Sequence, residues 1–120
     1  MRPTIDDTHF GSITIDGAEI EHDVLIRLSG KVGKRKKKLS KKVFGTSHVI
    51  SQEEAEYIFE EGMEQLIIGA GQTGMVTLSK EAAAYFKEKK VRVDLSPTPE
   101  AIQRWNNAKG ATVGLFHVTC

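Results

Sequence analysis

Residues 66–74, LIIGAGQTG, decide the fold that the sequence predicts. Leu66, Ile67 and Ile68 are consecutive and do not alternate with polar residues, so this segment is expected to form a strand that is covered on both faces. The glycines that follow allow the chain to make a tight turn at the end of this strand. Such a strand is typical of an α/β domain, in which helices flank a central sheet.

Helix start signals recur on both sides of this strand. Ser51 and Glu54 have the spacing of a capping box. Ser79 is predicted to cap a second helix, and Thr98 with Pro99 predicts an N-cap followed by a proline at the first helical position. Further strands are predicted at VRVDL and at the last ten residues, ATVGLFHVTC. Residues 51–120 are therefore predicted to alternate helix and strand, which favours a mostly parallel central sheet.

The first fifty residues follow a different pattern. Residues 10–26 are predicted to form a β-hairpin, because apolar and polar residues alternate on both sides of Asp16 and Gly17, a pair that suits a type I′ turn. Residues 31–42, KVGKRKKKLSKK, are predicted to form a mobile basic loop, with an extension of the hairpin as the alternative, because few of them are apolar. A short strand is predicted within residues 43–50.

Length and composition indicate one globular domain over residues 1–120. The first ten residues contain no apolar stretch that fits a signal peptide, and no apolar run approaches the ~20 residues of a membrane span. Cys120 is the single cysteine and cannot form an internal disulfide, which is typical of a reducing compartment. We therefore expect a cytoplasmic protein.

The glycines of the LIIGAGQTG segment match the spacing of a dinucleotide-binding fingerprint, but the flanking residues do not support that function. In dinucleotide folds, the helix whose N–H groups hold the pyrophosphate begins beside the third glycine. Here Met75, Val76, Thr77 and Leu78 separate Gly74 from the predicted cap of the next helix. The sequence therefore predicts no nucleotide cofactor, and indeed no cofactor of any kind.

The carboxyl ends of the predicted parallel strands meet at one edge of the sheet, where ligands bind in open α/β domains. Helix N-termini at this edge have N–H groups that suit a phosphate or a carboxylate. An anion site is one hypothesis, although most helix N-termini are satisfied by their own caps and by water. The residues that this hypothesis assigns to ligand binding are Gly69, Ala70, Gly71, Gln72, Thr73, Ser79, Thr98 and His117.

The four histidines and the single cysteine do not form a metal-binding motif in the sequence. His117 and Cys120 are three positions apart, and side chains at that spacing lie on opposite faces of an unbroken strand. The sequence therefore predicts no metal ion. The same geometry argues against a Cys–His nucleophile unless the last residues curl, and no residue is assigned a catalytic role.

The basic run is the strongest charge feature. Eight of the seventeen lysine and arginine residues lie in residues 31–42. Only Phe44 lies near as an aromatic residue, so no stacking platform for nucleic acid is evident. A solvated loop is the favoured interpretation, with an acidic protein partner or a nucleic acid as alternatives. The residues assigned to such a contact are Lys34, Arg35, Lys36, Lys37 and Lys38.

The segments LIIGAG, VDLSPTPEAIQRWN and GLFHVTC together resemble a family of small single-domain α/β proteins of unknown biochemical activity from archaea, bacteria and eukaryotes. Its eukaryotic members include an adipogenesis-associated protein and, more distantly, a mitochondrial complex I assembly factor. The resemblance implies a three-layer domain with a mixed central sheet, which leaves the direction of the last strand open. The matching positions are Gly69, Gly71, Thr98, Asn106, Gly114, His117, Thr119 and Cys120.

No coherent catalytic constellation is present in the sequence, and the resemblance includes an assembly-related protein. We therefore expect a non-catalytic domain that acts through contacts with another protein. A small-molecule binder or enzyme that holds an anionic group at residues 69–78 is the alternative. Nucleic-acid binding through residues 31–42 is the third hypothesis, and no membrane contact is expected.

Overall fold

The strand predicted around residues 66–68 is present in the computed structural model, which describes residues 2–120. It spans Gln65–Ala70 and is buried along its whole length. In chain order, the strands are β1 (Ile5–His9), β2 (Ser12–Ile15), β3 (Ala18–Ile20), β4 (Val24–Ile26), β5 (Val32–Lys34), β6 (Val49–Ile50), β7 (Gln65–Ala70), β8 (Thr77–Leu78), β9 (Arg92–Ser96) and β10 (Thr112–His117). The helices are α1 (Lys38–Phe44), α2 (Gln52–Ile58), α3 (Lys80–Glu88) and α4 (Thr98–Asn107).

The central sheet has five strands in the order β5-β4-β10-β7-β9. β10 runs parallel to β7, and β7 runs parallel to β9, whereas β4 is antiparallel to both β10 and β5. The sheet is therefore mixed, and the last strand lies parallel to the strand that leads into the glycines. Helix α3 connects β7 to β9 and helix α4 connects β9 to β10, as expected for crossovers between parallel strands.

Apolar side chains pack on both faces of this sheet, which gives three layers. On one face, Leu66 and Ile68 of β7 join a core with buried residues of α2 and α3, including Phe86. On the other face, Ile67 joins a core with Trp105 of α4 and the isoleucines of β1 and β2. Because adjacent residues of one strand point to opposite faces, the consecutive apolar residues of β7 serve both cores.

The hairpin at the N-terminus is shorter than the predicted one and belongs to a separate three-stranded sheet, β1-β2-β3. Asp16 has φ 47° and Gly17 has φ 82°, which are the positive values of a type I′ turn. However, the second arm ends at Ile20, and residues 24–26 pair with β10 in the central sheet instead. The prediction that the hairpin extends to residue 26 is therefore wrong, because residues 12–20 belong to the three-stranded sheet and residues 24–26 belong to the central sheet.

The prediction of a basic loop over residues 31–42 is also wrong. β5 and most of α1 lie in this segment. Val32 packs against a core, Arg35 is buried between the exposed Lys34 and Lys36, and Ser40 is buried in α1. The segment is ordered because buried polar contacts hold it, which a composition-based interpretation does not detect.

The predicted serine caps are present. The Ser51 side chain accepts a hydrogen bond from the Glu54 N–H at 3.1 Å, and Ser79 accepts one from the Ala82 N–H at 3.0 Å. Thr98 is not an N-cap: Pro97 occupies the cap position, and the buried Thr98 hydroxyl is used elsewhere. Within residues 2–120, no helix is both long enough and apolar enough to cross a membrane.

Candidate functional site

The carboxyl edge of the sheet is filled by the chain itself. The Gly71 N–H donates to the Thr98 hydroxyl at 2.9 Å, and that hydroxyl donates to the His117 carbonyl at 2.7 Å. A Cβ atom at Gly69 would lie 2.8 Å from the Phe116 ring. The glycines after β7 therefore allow close packing against α4 and β10.

Residues 118–120 leave the last strand and cover the glycine loop (residues 69–78). The Gln72 N–H donates to the Thr119 carbonyl at 2.7 Å, and the Met75 N–H donates to the Cys120 main-chain oxygen at 3.1 Å. Gly71 has φ +99°, and a Cβ atom there would overlap the main-chain carbonyl of Cys120. The prediction of a strand that continues to the last residue is wrong, because these long-range bonds turn the chain after His117.

These bonds use the donors that an anion at this edge would need. The side chains of Gln72 and Thr73 are also engaged, with the Thr8 hydroxyl at 2.9 Å and the Cys120 main-chain oxygen at 3.0 Å. Ala70 and Ser79 are buried, and the Ser79 oxygen caps α3, which begins at Lys80 and not beside the glycines. The geometry counts against an anion or a dinucleotide at the glycine loop.

A buried ion network (Asp23, Arg35 and Glu54) lies beneath the basic segment. The Arg35 guanidinium donates to both carboxylate oxygens of Glu54, at 2.7 and 3.0 Å, and to Asp23 Oδ2 at 3.0 Å. It also donates to the Ser47 carbonyl at 2.8 Å. Burial opposes the charge on Arg35, but Glu54 and then Asp23 outweigh it and raise the Arg35 pKa above its ordinary value.

Asp23 also orients His117. Asp23 Oδ2 lies 2.7 Å from His117 Nδ1, and Asp23 Oδ1 accepts from the Val118 N–H at 3.0 Å. Burial acts to raise the Asp23 pKa, but the hydrogen bonds from His117 and Val118, together with the charges of His117 and Arg35, lower it to about 2. Asp23 is therefore an ionised carboxylate that accepts a hydrogen bond from His117 Nδ1, and His117 Nε2 lies 3.0 Å from the Thr119 hydroxyl.

His48, His117 and Cys120, which we name the thiol–imidazole cluster, lie together beside the covered glycine loop. One nitrogen of each histidine and the Cys120 sulfur all lie within 4.8 Å of one another. The objection that residues 117 and 120 face opposite ways fails here, because the strand ends at His117. Sequence reasoning did not associate His48 with this cluster, since it lies in a segment with no motif.

The remaining basic side chains form an open surface. We name this surface the basic face. Its exposed or half-buried residues are Arg27, Lys31, Lys34, Lys36, Lys37, Lys38 and Tyr57. Two shallow grooves of about 460 and 200 Å³ run along it. Arg35, which was predicted to belong to this surface, is only 4% exposed and points into the ion network. Arg35 is the only arginine in residues 31–42. Because arginine is the preferred cation in buried ion pairs, this difference from the neighbouring lysines was the sequence signal for its buried role.

The aromatic residue that the sequence did not reveal is Tyr57 of α2. The guanidinium carbon of Arg27 lies 4.7 Å from the centre of the Tyr57 ring, and the Lys36 ammonium lies 4.8 Å from it. These are cation–π distances, and Tyr57 remains 38% exposed. Tyr57 is distant in sequence from the lysines and reaches them only because α2 packs beside α1.

Comparison with known proteins gives concordant matches. A family model described as a protein of unknown function (DUF498/DUF598) matches residues 5–115. Conserved hypothetical protein PH1505 from Pyrococcus horikoshii OT3 is 36% identical, with a TM-score of 0.88 over 98% of this chain and 99% of that one. A protein designated MT938 is 35% identical, with a TM-score of 0.81 over 98% and 99% of the two chains.

A more distant match shows the fold alone. A Bordetella pertussis protein described as a Mth938-like domain is 16% identical, with a TM-score of 0.64 over 97% of this chain and 85% of that one. The family match covers most of the chain, and both PH1505 and MT938 exceed 30% identity. The chain therefore belongs to the family of proteins of unknown function designated DUF498/DUF598.

Proposed function

We propose that the domain acts through protein contacts and that its basic face binds an acidic segment of a partner protein. The observation that carries this proposal is a set of ammonium groups without ionic partners. Among residues 2–120, no carboxylate oxygen lies within 4.0 Å of the ammonium groups of five lysines of the basic face, Lys31, Lys34, Lys36, Lys37 and Lys38. Lys42, a few residues further on, forms an ion pair with Glu53 at 2.6 Å.

The stability of the domain does not explain these lysines. Lys37 is the N-cap of α1 and Lys38 is its first residue, and the first turn of this helix contains no acid. Positive charge at a helix N-terminus is unfavourable by about 0.3–1 kcal/mol per residue. Repulsion among neighbouring ammonium groups adds to this cost. A surface that lowers stability in the free protein is typical of a binding surface.

Tyr57 gives the basic face an anchor for a protein partner. Tyrosine and arginine are enriched among the residues that contribute most to the binding energy of protein interfaces. The Tyr57 ring, with Arg27 and Lys36 against it, offers an apolar surface between cations. A segment that combines carboxylates with an apolar side chain would satisfy both features.

The surroundings favour an acidic protein segment over a nucleic acid. Residues 53–64 contain six acids, and α2 presents Glu53 and Glu56 as exposed residues on the same helix as Tyr57. A phosphate backbone that extends beyond the basic face would meet these carboxylates and be repelled. The net charge of +1 is also low for a nucleic-acid-binding domain, in which basic residues usually dominate.

Fluorescence anisotropy tests the proposal with two labelled probes, a ten-residue peptide of glutamates with one central leucine and a ten-nucleotide poly(U) RNA. We expect the peptide to bind more tightly than the RNA at about 0.15 M salt. The triple variant Lys34→Glu/Lys36→Glu/Lys38→Glu should weaken peptide binding at least tenfold. Tyr57→Leu should weaken it less, because it removes only the anchor.

The matched control is Lys80→Glu/Lys87→Glu/Lys109→Glu, which makes the same change in charge at exposed lysines outside the basic face. It should stay within about twofold of the parent protein. Equal losses in the two triple variants would show that net charge alone drives binding and would overturn the proposal. Tighter binding of the RNA than of the peptide would replace it with the nucleic-acid hypothesis.

A further inference from the structure

We infer that His48, His117 and Cys120 form a binding site for one divalent transition-metal ion of the zinc class. The three donor atoms come from two separate parts of the chain, residue 48 and residues 117–120, and lie within 4.8 Å of one another. This inference is independent of the basic face, which it does not use. The three ligands come together only in the folded chain.

The backbone holds the three ligands in place before any ion binds. The Gly11 N–H donates to the Val118 carbonyl at 2.7 Å, and the Met75 N–H donates to the Cys120 main-chain oxygen at 3.1 Å. Gly71 makes room for this turn, because any side chain there would overlap Cys120 and the His117 ring. The His48 carbonyl in turn accepts from the Thr77 N–H at 2.8 Å. A preorganised site loses little conformational entropy when it binds its ion.

His117 has the second partner that metal-binding histidines usually have. Its Nδ1 lies 2.7 Å from Asp23 Oδ2, an oxygen that also accepts a hydrogen bond from the Arg35 guanidinium, so this nitrogen is the donor. A carboxylate behind a histidine fixes the orientation and tautomer of the ring in many metal sites. It leaves the lone pair on Nε2 for an ion, which would displace the Thr119 hydroxyl that now lies 3.0 Å from this nitrogen.

The other two ligands already have a separation close to that of a metal site. His48 Nε2 lies 3.7 Å from the Cys120 sulfur. In a tetrahedral zinc site, a Zn–N bond of about 2.0 Å and a Zn–S bond of about 2.3 Å place these two atoms about 3.5 Å apart. The rings of His48 and His117 meet edge to face, with centroids 5.4 Å apart. Small rotations of the side chains are enough to bring three ligands around one ion.

The ligand types select the class of ion. One thiolate and two imidazoles suit zinc and related ions, whereas calcium and magnesium require oxygen ligands. On binding, the Cys120 thiol releases its proton to solvent and the sulfur forms the bond to the ion. Three protein ligands leave a fourth position for water or an external ligand, and Cys120 and His48 are only partly buried.

Calorimetric titration of chelator-treated, reduced protein with Zn²⁺ alone tests this site. We expect one equivalent to bind, with release of a proton. Titration with Co²⁺ should give a thiolate-to-cobalt charge-transfer band and the intense visible bands of tetrahedral coordination. Cobalt bands of octahedral ions without charge transfer would show that the sulfur is not a ligand and would overturn the inference.

The variants Cys120→Ser and His48→Gln should each weaken Zn²⁺ binding about 100-fold or more. The matched control is His9→Gln, which removes an exposed histidine paired only with Asp7 and should leave affinity within twofold. Equal losses in His9→Gln and His48→Gln would assign the binding to surface histidines and contradict the site.

A fourth variant distinguishes a metal site from a simple hydrogen-bonded group. Thr119→Val removes the hydroxyl that now occupies His117 Nε2. Zn²⁺ affinity should stay equal or increase, because the hydroxyl no longer competes for that lone pair. A tenfold loss of affinity in a Thr119→Val protein that remains folded by circular dichroism would contradict the assignment of Nε2 as a ligand.

Discussion

The glycine loop and the basic segment differ from what their sequences suggest, and in opposite directions. The glycine loop has the spacing of a phosphate-binding turn, yet residues 118–120 cover it and use its N–H groups. Residues 31–42 have the composition of an unstructured loop, yet a buried arginine anchors them. In both regions, contacts with residues far away in sequence decide the structure.

A sequence motif indicates the local backbone geometry, but it does not tell whether a ligand or the protein's own chain fills the space beside it. Glycines after a buried strand permit a close approach of any neighbour, and here that neighbour is the protein's own chain. Lysines indicate surface charge, but one arginine among them can bind two carboxylates in the interior. Three measurements test whether contacts with distant residues decide the structure of these two regions.

The largest effect is expected for Arg35→Met in the basic segment. The variant leaves Asp23 and Glu54 buried without their cation, and breaking such a pair costs about 3–5 kcal/mol. Urea unfolding measures the loss in the free energy of unfolding. Lys36→Met is the matched control on the adjacent exposed residue and should cost less than about 1 kcal/mol.

A second substitution sharpens this result. Adding Glu54→Gln to Arg35→Met removes one of the two uncompensated carboxylates, so part of the lost stability should return. If Arg35→Met and Lys36→Met had the same small effect, the ion network would not be what orders residues 31–42.

The next effect is expected at the glycine loop. Gly71→Ala should cost about 3 kcal/mol, because it combines a strained left-handed backbone with overlap on Cys120. Gly11→Ala is the control, since Gly11 has a similar φ of +91° but no heavy atom within 4 Å of the added carbon. Its cost should be about 1–2 kcal/mol, from backbone strain alone. Equal costs in urea unfolding would show that residues 118–120 do not press on the loop.

The smallest effect is a pH dependence at Asp23, which contacts Arg35 of the basic segment and Val118 of the residues that cover the glycine loop. Its pKa is about 2 in the folded protein, below the ordinary 3.8, so its carboxylate stabilises the fold at any pH above about 4. This contribution, about 2 kcal/mol in total, should be lost as the pH falls from about 4 to 2. The ¹³C resonance of the Asp23 carboxyl should titrate near pH 2. A midpoint at pH 4 or above would contradict the hydrogen bonding described for this residue.

The sequence predicts the features that depend on neighbouring residues. The serine caps of α2 and α3, the Asp16–Gly17 turn and the doubly buried β7 all follow from local spacing. The caps and the turn are satisfied within a few residues, and the burial of β7 is indicated by its own run of apolar residues, so each can be predicted without knowledge of the rest of the fold.

The lysines of the basic face were named as a contact surface from their run in the sequence. The other residues of the candidate sites come together through contacts between distant parts of the chain, and this is why they were not predicted. His117 lies 94 residues after Asp23, and Cys120 lies 72 residues after His48. Tyr57 comes from a helix outside the basic run. Thr98 has the pattern of an N-cap, but its hydroxyl joins Gly71 to His117 instead. Residue spacing carries no information about such partners.

The position of β10 between β4 and β7 has a consequence for folding. Until the last strand inserts, the central sheet consists of two halves, and β4 and β7 each present an open edge of unpaired N–H and C=O groups. Such edges invite association between incomplete chains. β10 must also pair with β4, which lies far earlier in the chain, and forming contacts across so long a segment slows folding. We therefore expect insertion of β10 to limit the folding rate, and the nascent chain to be most prone to aggregation just before that step.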